Sequence, residues 1–415
     1  EARNVETLAK LYSEFESGKK RILLAFRHPS TTDPFVLSQL LWRELPQTAQ
    51  EMGLKLGKTH AHFIYDRGIP LWAGRYLGWV FSKLGGVPIQ RGKLDLQALK
   101  KARELLCEGR FPLAAAPEGG TNGHNEIVSP LEPGIAQMAF WCAEDIAARG
   151  SGESVVVLPI GIQYQYVKEP WAPLTELIGQ LEKDTGLGKP QDLDLYGRLY
   201  RLAEHLLSLM EGYYKEFYGV TFSQAEKSGA DASSSDEFEP EADDCNPQLA
   251  TRLSALMNEA LQVAENYFGL RPKGTIIDRC RKLEQAGWSR IFREDTESLS
   301  EVELGLANRV AEEANLRMWH MRLVESFVAV TGCYVKEHPS ANRFAETTLL
   351  LRDMVAKIKG EPVDSPSLGK QRAIVTVGEP IGIDARFADY KTKRRGAIAS
   401  LTADLQTALE SMILT

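Results

Sequence analysis

Short apolar runs alternate with helical spacings through the first 166 residues. Ile22 to Phe26 is apolar without interruption, the length of a buried strand. Residues 5–17 read as a helix before it and 34–45 as the helix after it. The alternating stretch 59–65, the run 85–92, the run 110–116 and the run 154–162 read as further strands, the last broken at Pro159. Between them, 95–109 and 134–148 keep a helical period. Such alternation predicts an α/β fold, a mostly parallel sheet flanked by helices.

After about residue 166 the texture changes. Leu195, Leu199, Leu202, Leu206, Leu209, Tyr213 and Phe217 recur at helical spacing. Residues 248–268, 275–287, roughly 300–331 and 343–359 read the same way. Residues 224–247 are acidic and rich in Ser, Ala and Pro, a composition that predicts a disordered linker. A strand signal returns at 372–378, and a helix closes the chain near 414. Two parts are therefore expected. Residues 1–166 with 370–415 form the α/β domain, and 167–369 form a large all-helical insertion into it.

Composition narrows this picture modestly. At 415 residues the chain exceeds one ordinary core. Its 49 basic and 56 acidic residues leave a net charge of −7, which argues against a nucleic-acid partner. Cysteines 107, 142, 245, 280 and 333 are odd in number and widely spaced, the pattern of free thiols in a reducing compartment. No run approaches the ~18 apolar residues of a membrane-spanning helix. Residues 68–85 are rich in Leu, Trp, Tyr and Phe, with Arg75 and Lys83 among them. That mixture fits a helix lying at a membrane interface and equally a helix packed in a core.

Candidate chemistry centres on the end of the first strand. His28 and Asp33 stand five apart on a strand-to-helix turn, which lets their side chains meet. A carboxylate on one ring nitrogen fixes the imidazole tautomer and leaves the other nitrogen to take a proton from a hydroxyl. The plainer reading makes Asp33 a helix N-cap ahead of Pro34 and His28 a turn residue. Arg91, at a strand exit, is a surface charge or a phosphate ligand. The Pro117, Glu118, Gly119, Gly120 turn is an ordinary loop or a place where backbone N–H groups meet an anion. His60 and His62 share one strand face, but no further metal ligands stand near except Asp66. His205 and His320 fall within helices, and His338 in a loop.

Four blocks in order resemble the glycerolipid acyltransferase family, which acylates glycerol 3-phosphate, lysophosphatidate and related acceptors. They are His28-x-x-x-x-Asp33, Gly86-x-x-x-x-Arg91, Pro117-Glu118-Gly119-Gly120-Thr121, and the apolar Val157-Leu158-Pro159-Ile160. Gly378-Glu379-Pro380-Ile381 is similar to a strand that the family places soon afterwards. The resemblance covers about 10–166 and 370–412 and leaves the helical block unassigned. Ala116 stands where the family usually has Phe, and Asn122 and Gly123 occupy the region of an Arg that often holds the acceptor phosphate.

The resemblance implies an O-acyltransferase. His28 is then the general base on an acceptor hydroxyl and Asp33 its orienting partner. Arg91 holds the acceptor phosphate, and Glu118, Gly119, Gly120 and Thr121 shape the acceptor pocket. The acyl group arrives as a thioester of coenzyme A or acyl carrier protein, and no metal or cofactor is needed. Peripheral attachment through 68–85 is expected, on the cytoplasmic side of a membrane or in an equivalent reducing compartment such as a plastid stroma. The missing Arg leaves the acceptor open between a glycerophosphate and a lysophospholipid. A different class also stands, an acyltransferase-fold membrane scaffold without turnover.

Overall fold

The structure, a computed structural model, describes residues 1–70, 74–90, 95–188, 192–222, 247–293, 295–325, 334–364 and 366–414. These form two compact units, Glu1–Val167 with Lys370–Thr415, and Lys168–Gly369.

The first unit is built on a mostly parallel sheet of eight described strands. In chain order they are β1 Ala2–Arg3, β2 Lys20–Phe26, β3 His62–Asp66, β4 Gly86–Ile89, β5 Leu113–Ala115, β6 Ser154–Tyr166, β7 Gln371–Val377 and β8 Ile381–Gly382. Their spatial order is β1-β7-β6-β2-β5-β3-β4, with β8 also paired to β6. Strands β2 to β6 run parallel to one another, and β7 and β8 run antiparallel to β6.

The near-continuous apolar run of β2 has its cause here, because a parallel strand at the sheet centre is covered on both faces. Leu23 and Ala25 join the core beneath helices Leu96–Glu108, Gly134–Arg149 and Arg394–Glu410. Ile22, Leu24 and Phe26 join the opposite core, beneath helix Val5–Glu16 and the helix that follows β2. Successive side chains point to opposite faces, so one strand feeds both layers.

Two expected elements differ. The 154–162 strand is not broken at Pro159; β6 runs unbroken from Ser154 to Tyr166. Beyond β2, its other edge pairs with β8 at Val156 and Val157 and with β7 from Ile160 onward. Pro159 falls in the gap between these partners, where a missing N–H costs no ladder bond. The helix expected over 34–45 is longer: Asp33–Gln39, a π-turn Leu40–Glu44, then Leu45–Glu51. Pro46 lacks the N–H that an α-helical ladder needs, and the wide turn ahead of it absorbs that loss.

The second unit contains only helices among its described residues. The main ones are Trp171–Asp184, Leu195–Tyr218, Pro247–Phe268, Ile276–Ile291, Glu301–Glu325 and Ala341–Lys359. Buried bidentate ion pairs, Arg198 with Glu182 and Arg279 with Glu265, join successive helices. Most of the expected acidic linker, 224–246, lies outside the described residues, as do 326–331 of the helix expected over roughly 300–331.

Candidate active site

Parallel strands deliver their carboxyl ends to one edge of a sheet, and in open α/β folds ligands bind in the crevice there. β2 ends in Phe26, and Arg27 and His28 follow at that edge.

Asp33 is the first residue of its helix, with Thr32 at the N-cap position. Its carboxylate caps no helical N–H. It turns back instead, and Oδ2 accepts from His28 Nδ1–H at 2.9 Å and from Ser30 N–H at 3.0 Å. Oδ1 accepts from the Tyr164 hydroxyl at 2.5 Å. Asp33 is 0 % exposed, so these donors replace the water that a buried carboxylate loses. With Nδ1–H committed to Asp33, the imidazole presents Nε2 as its basic atom. The His28 side chain is half-buried, open enough to be reached by a substrate.

Glu118 sits behind the His28 backbone. Its Oε1 accepts from His28 backbone N–H at 2.9 Å and lies 3.8 Å from Arg27 Nε. Its Oε2 accepts from Asn122 Nδ2 and Ser129 N–H, each at 3.0 Å. The carboxylate is buried and fully engaged, so it clamps the loop after β5 onto the turn after β2. Gly119 adopts φ +71°, the left-handed conformation that favours glycine, and closes the turn with its N–H on the Ala116 carbonyl. Gly120 is half-buried and Thr121 exposed on the same loop. Arg91 lies outside the described residues.

Three contributors escaped the sequence reading. Arg27 is buried, and its guanidinium donates to the carbonyls of Asn125 at 2.5 Å, His124 at 3.1 Å and Ile127 at 2.5 Å. A charged residue directly after a buried strand was the signal available for it. Asn125 Oδ1 accepts from Tyr164 N–H at 2.6 Å, tying the same loop to β6. Tyr164 carried no local signal, because it lies 131 residues from Asp33. Asn122, in the region where the family often has Arg, folds inward and donates to Glu118, Ile127 and Ser129.

The paired histidines His60 and His62 are engaged elsewhere. His60 accepts from Trp42 Nε1–H and is bonded to the Leu84 carbonyl, and His62 faces the Gly85 carbonyl. Among the described residues no group of His, Cys, Asp and Glu is placed to hold a metal ion.

Residues 2–163 match the family model described as Acyltransferase. No curated protein and no solved structure matches the chain. With a mostly parallel sheet, four motif blocks in family order and His28 meeting Asp33 at the carboxyl edge, the matched segment is an acyltransferase domain similar to those of the glycerolipid acyltransferase family, which act between an acyl donor and a lipid acceptor.

Proposed function

We propose that the α/β unit transfers a fatty acyl group from a thioester of coenzyme A or acyl carrier protein to a hydroxyl of a glycerophosphate or lysophospholipid. The observation that carries this reading is the His28–Asp33 pair, with Nε2 as the basic atom at the edge where substrates bind. Nε2 takes the hydroxyl proton as the oxygen attacks the thioester carbonyl. Asp33 steadies the imidazolium so formed. The tetrahedral intermediate collapses with loss of thiolate, which recovers the proton from His28. The thioester itself supplies the activation, so the reaction requires no metal or cofactor.

Acceptor phosphate is assigned to Arg91 together with Arg67. Arg67 N–H donates to the Ile89 carbonyl, so Arg67 stands at the β3 exit beside the β4 exit that leads to Arg91. Its guanidinium is half exposed and pairs with Asp95 at 3.1 Å. A cation at that exit supports an anionic acceptor although Asn122 offers none.

The acceptor class and an exposed aromatic patch together support peripheral attachment to the cytoplasmic face of a membrane. Tyr76 is 75 % exposed and Trp79 56 % exposed; their rings stack at 5.7 Å, and Lys83 lies over Trp79. Among the described residues no helix is long and apolar enough to cross a membrane. Amphipathic aromatic rings with a nearby cation suit the head-group layer.

The test is transfer of a labelled acyl group from each carrier to a panel of glycerol 3-phosphate, lysophosphatidate and lysophospholipids, with His28→Ala beside the native protein. The expected result is transfer to one acceptor class and a loss of about 100- to 10,000-fold in the variant. A folded protein that transfers to none of them sinks the reading in favour of a scaffold without turnover. The feature behind that second reading is the helical unit, which lies outside the matched segment.

A further inference from the structure

β6 is longer than the strand it supports. Its pairing with β2 runs from Lys20 opposite Ser154 to Phe26 opposite Ile160, and there β2 ends. β6 continues to Tyr166, held on its far edge by β7. Ile160, Ile162 and Tyr164 alternate onto the face that Phe26 also occupies. The strand's overhang therefore carries Tyr164 past the end of β2 and sets its hydroxyl over the turn from His28 to Asp33.

At that point the hydroxyl enters a directed chain of hydrogen bonds. Thr32 Oγ1–H donates to the Tyr164 oxygen at 2.9 Å, and Tyr164 O–H donates to Asp33 Oδ1 at 2.5 Å. Ser30 Oγ lies 2.9 Å from Thr32 Oγ1, and Ser30 N–H donates to Asp33 Oδ2. The two carboxylate oxygens are thereby divided. Oδ1 belongs to the phenol, and Oδ2 is left to His28 and the backbone. Without a donor for Oδ1, a buried carboxylate would turn to share Oδ2, and the bond that fixes the imidazole would loosen.

We propose that Tyr164 is a positioning residue of the acyl-transfer site, acting through Asp33 to fix the tautomer and orientation of His28. This rests on the acyltransferase mechanism given above. Burial, and then the nearby Asp33 charge and hydrogen bond, push the Tyr164 phenol well above its ordinary range, so it remains a donor at any working pH. Among the described residues, the charged pair Arg27 and Glu118 also lies at this turn, behind the His28 backbone, where Glu118 holds the main chain.

The experiment compares native protein, Tyr164→Phe and Thr32→Val by nitrogen NMR of the His28 ring and by acyl-transfer kinetics. Phe keeps the ring packing and removes only the donor. The expected result for Tyr164→Phe is a neutral His28 ring that becomes a mixture of the two tautomers, because Asp33 without its phenol no longer keeps Oδ2 for Nδ1–H. The turnover number falls about ten- to a hundredfold with acceptor KM within about twofold. Thr32→Val gives a smaller change in the same direction and keeps the test open if Tyr164→Phe does not fold. An unchanged His28 tautomer in a folded variant overturns the proposal. The NMR result stands whether or not the native protein transfers acyl groups, so a failure of the activity reading is separable from a failure of this one.

Discussion

Two histidines in this protein each meet a tyrosine hydroxyl network, and their settings are opposite. His28 is half-buried and bonded through Nδ1 to a carboxylate, which leaves Nε2 as its basic atom. His320, in the helical unit, is buried, with Tyr214 O at 2.7 Å from Nδ1 and Tyr218 O at 3.1 Å from Nε2. Burial, and then the Arg317 charge, press His320 down to about 4. Burial likewise pushes the Tyr214 phenol up. A base needs a counter-charge to stabilise its protonated form and one nitrogen left for substrate; His28 has both. His320 has neither, and its two nitrogens serve as a cross-link between helices Leu195–Tyr218 and Glu301–Glu325.

The sharpest way to break this contrast is to remove the counter-charge. Asp33→Asn keeps the shape but lets an amide N–H face Nδ1, which forces the proton onto Nε2. We expect the transfer rate to fall about a thousandfold with the fold intact. His320→Gln is expected to leave the rate per folded molecule within about twofold. Comparable losses in both variants, measured at matched folded fraction, would erase the distinction.

A second effect lies in the pH dependence of stability. The unfolded imidazole titrates near 6.5 and the folded His320 near 4, so the folded protein binds fewer protons between them. Stability contributed by neutral His320 is present above about pH 6.5 and is lost as pH falls toward about 4. Some 3 kcal/mol is at stake, about 1.4 kcal/mol for each unit of displacement. Urea midpoints followed across this window should slope downward in the native protein and flatten in His320→Phe. Equal slopes would show that another group is responsible.

The smallest effect concerns the surface. Replacing Trp79 by Ser should weaken binding to anionic vesicles about tenfold, the scale expected for one large apolar ring leaving the interface. Turnover on a soluble acceptor should be unchanged. Vesicle sedimentation that does not move would detach the aromatic patch from the lipid.

The contrast between the two histidines also marks what the sequence could reveal. The central strand, the alternation of strands and helices and the spacing of His28 to Asp33 are local patterns, and the parallel sheet expected from them is present. Pro159 misled locally, because whether a proline breaks a strand depends on which neighbours that strand has on each edge. Asp33 looked like a helix cap; the competing donors at His28, Ser30 and Tyr164 decided its direction, and Tyr164 is remote in sequence. Glu118 was visible as part of a motif, but not its inward turn toward His28 N–H and Arg27. In the helical unit, periodicity disclosed faces. It gave no sign that Arg198 would choose Glu182, or Arg279 Glu265, since any surface charge fits the same pattern.

The junction between the units has a consequence of its own. β6 and β7 form an antiparallel pair closed by Val167 N–H on the Lys370 carbonyl. Topologically this is a β-hairpin, and its loop is the whole segment 168–369. Closing a flexible loop of about two hundred residues costs roughly 5 kcal/mol in chain entropy, against well under 1 kcal/mol for a two-residue turn. A loop that has folded first avoids most of this cost if its ends already lie together. They do: Lys359 pairs with Asp184, and Phe344 meets the ring of Trp171, so the last long helix of the segment packs on its first. Folding of the helices thus precloses the hairpin, and the strand that carries Tyr164 finds its partner as if the loop were short.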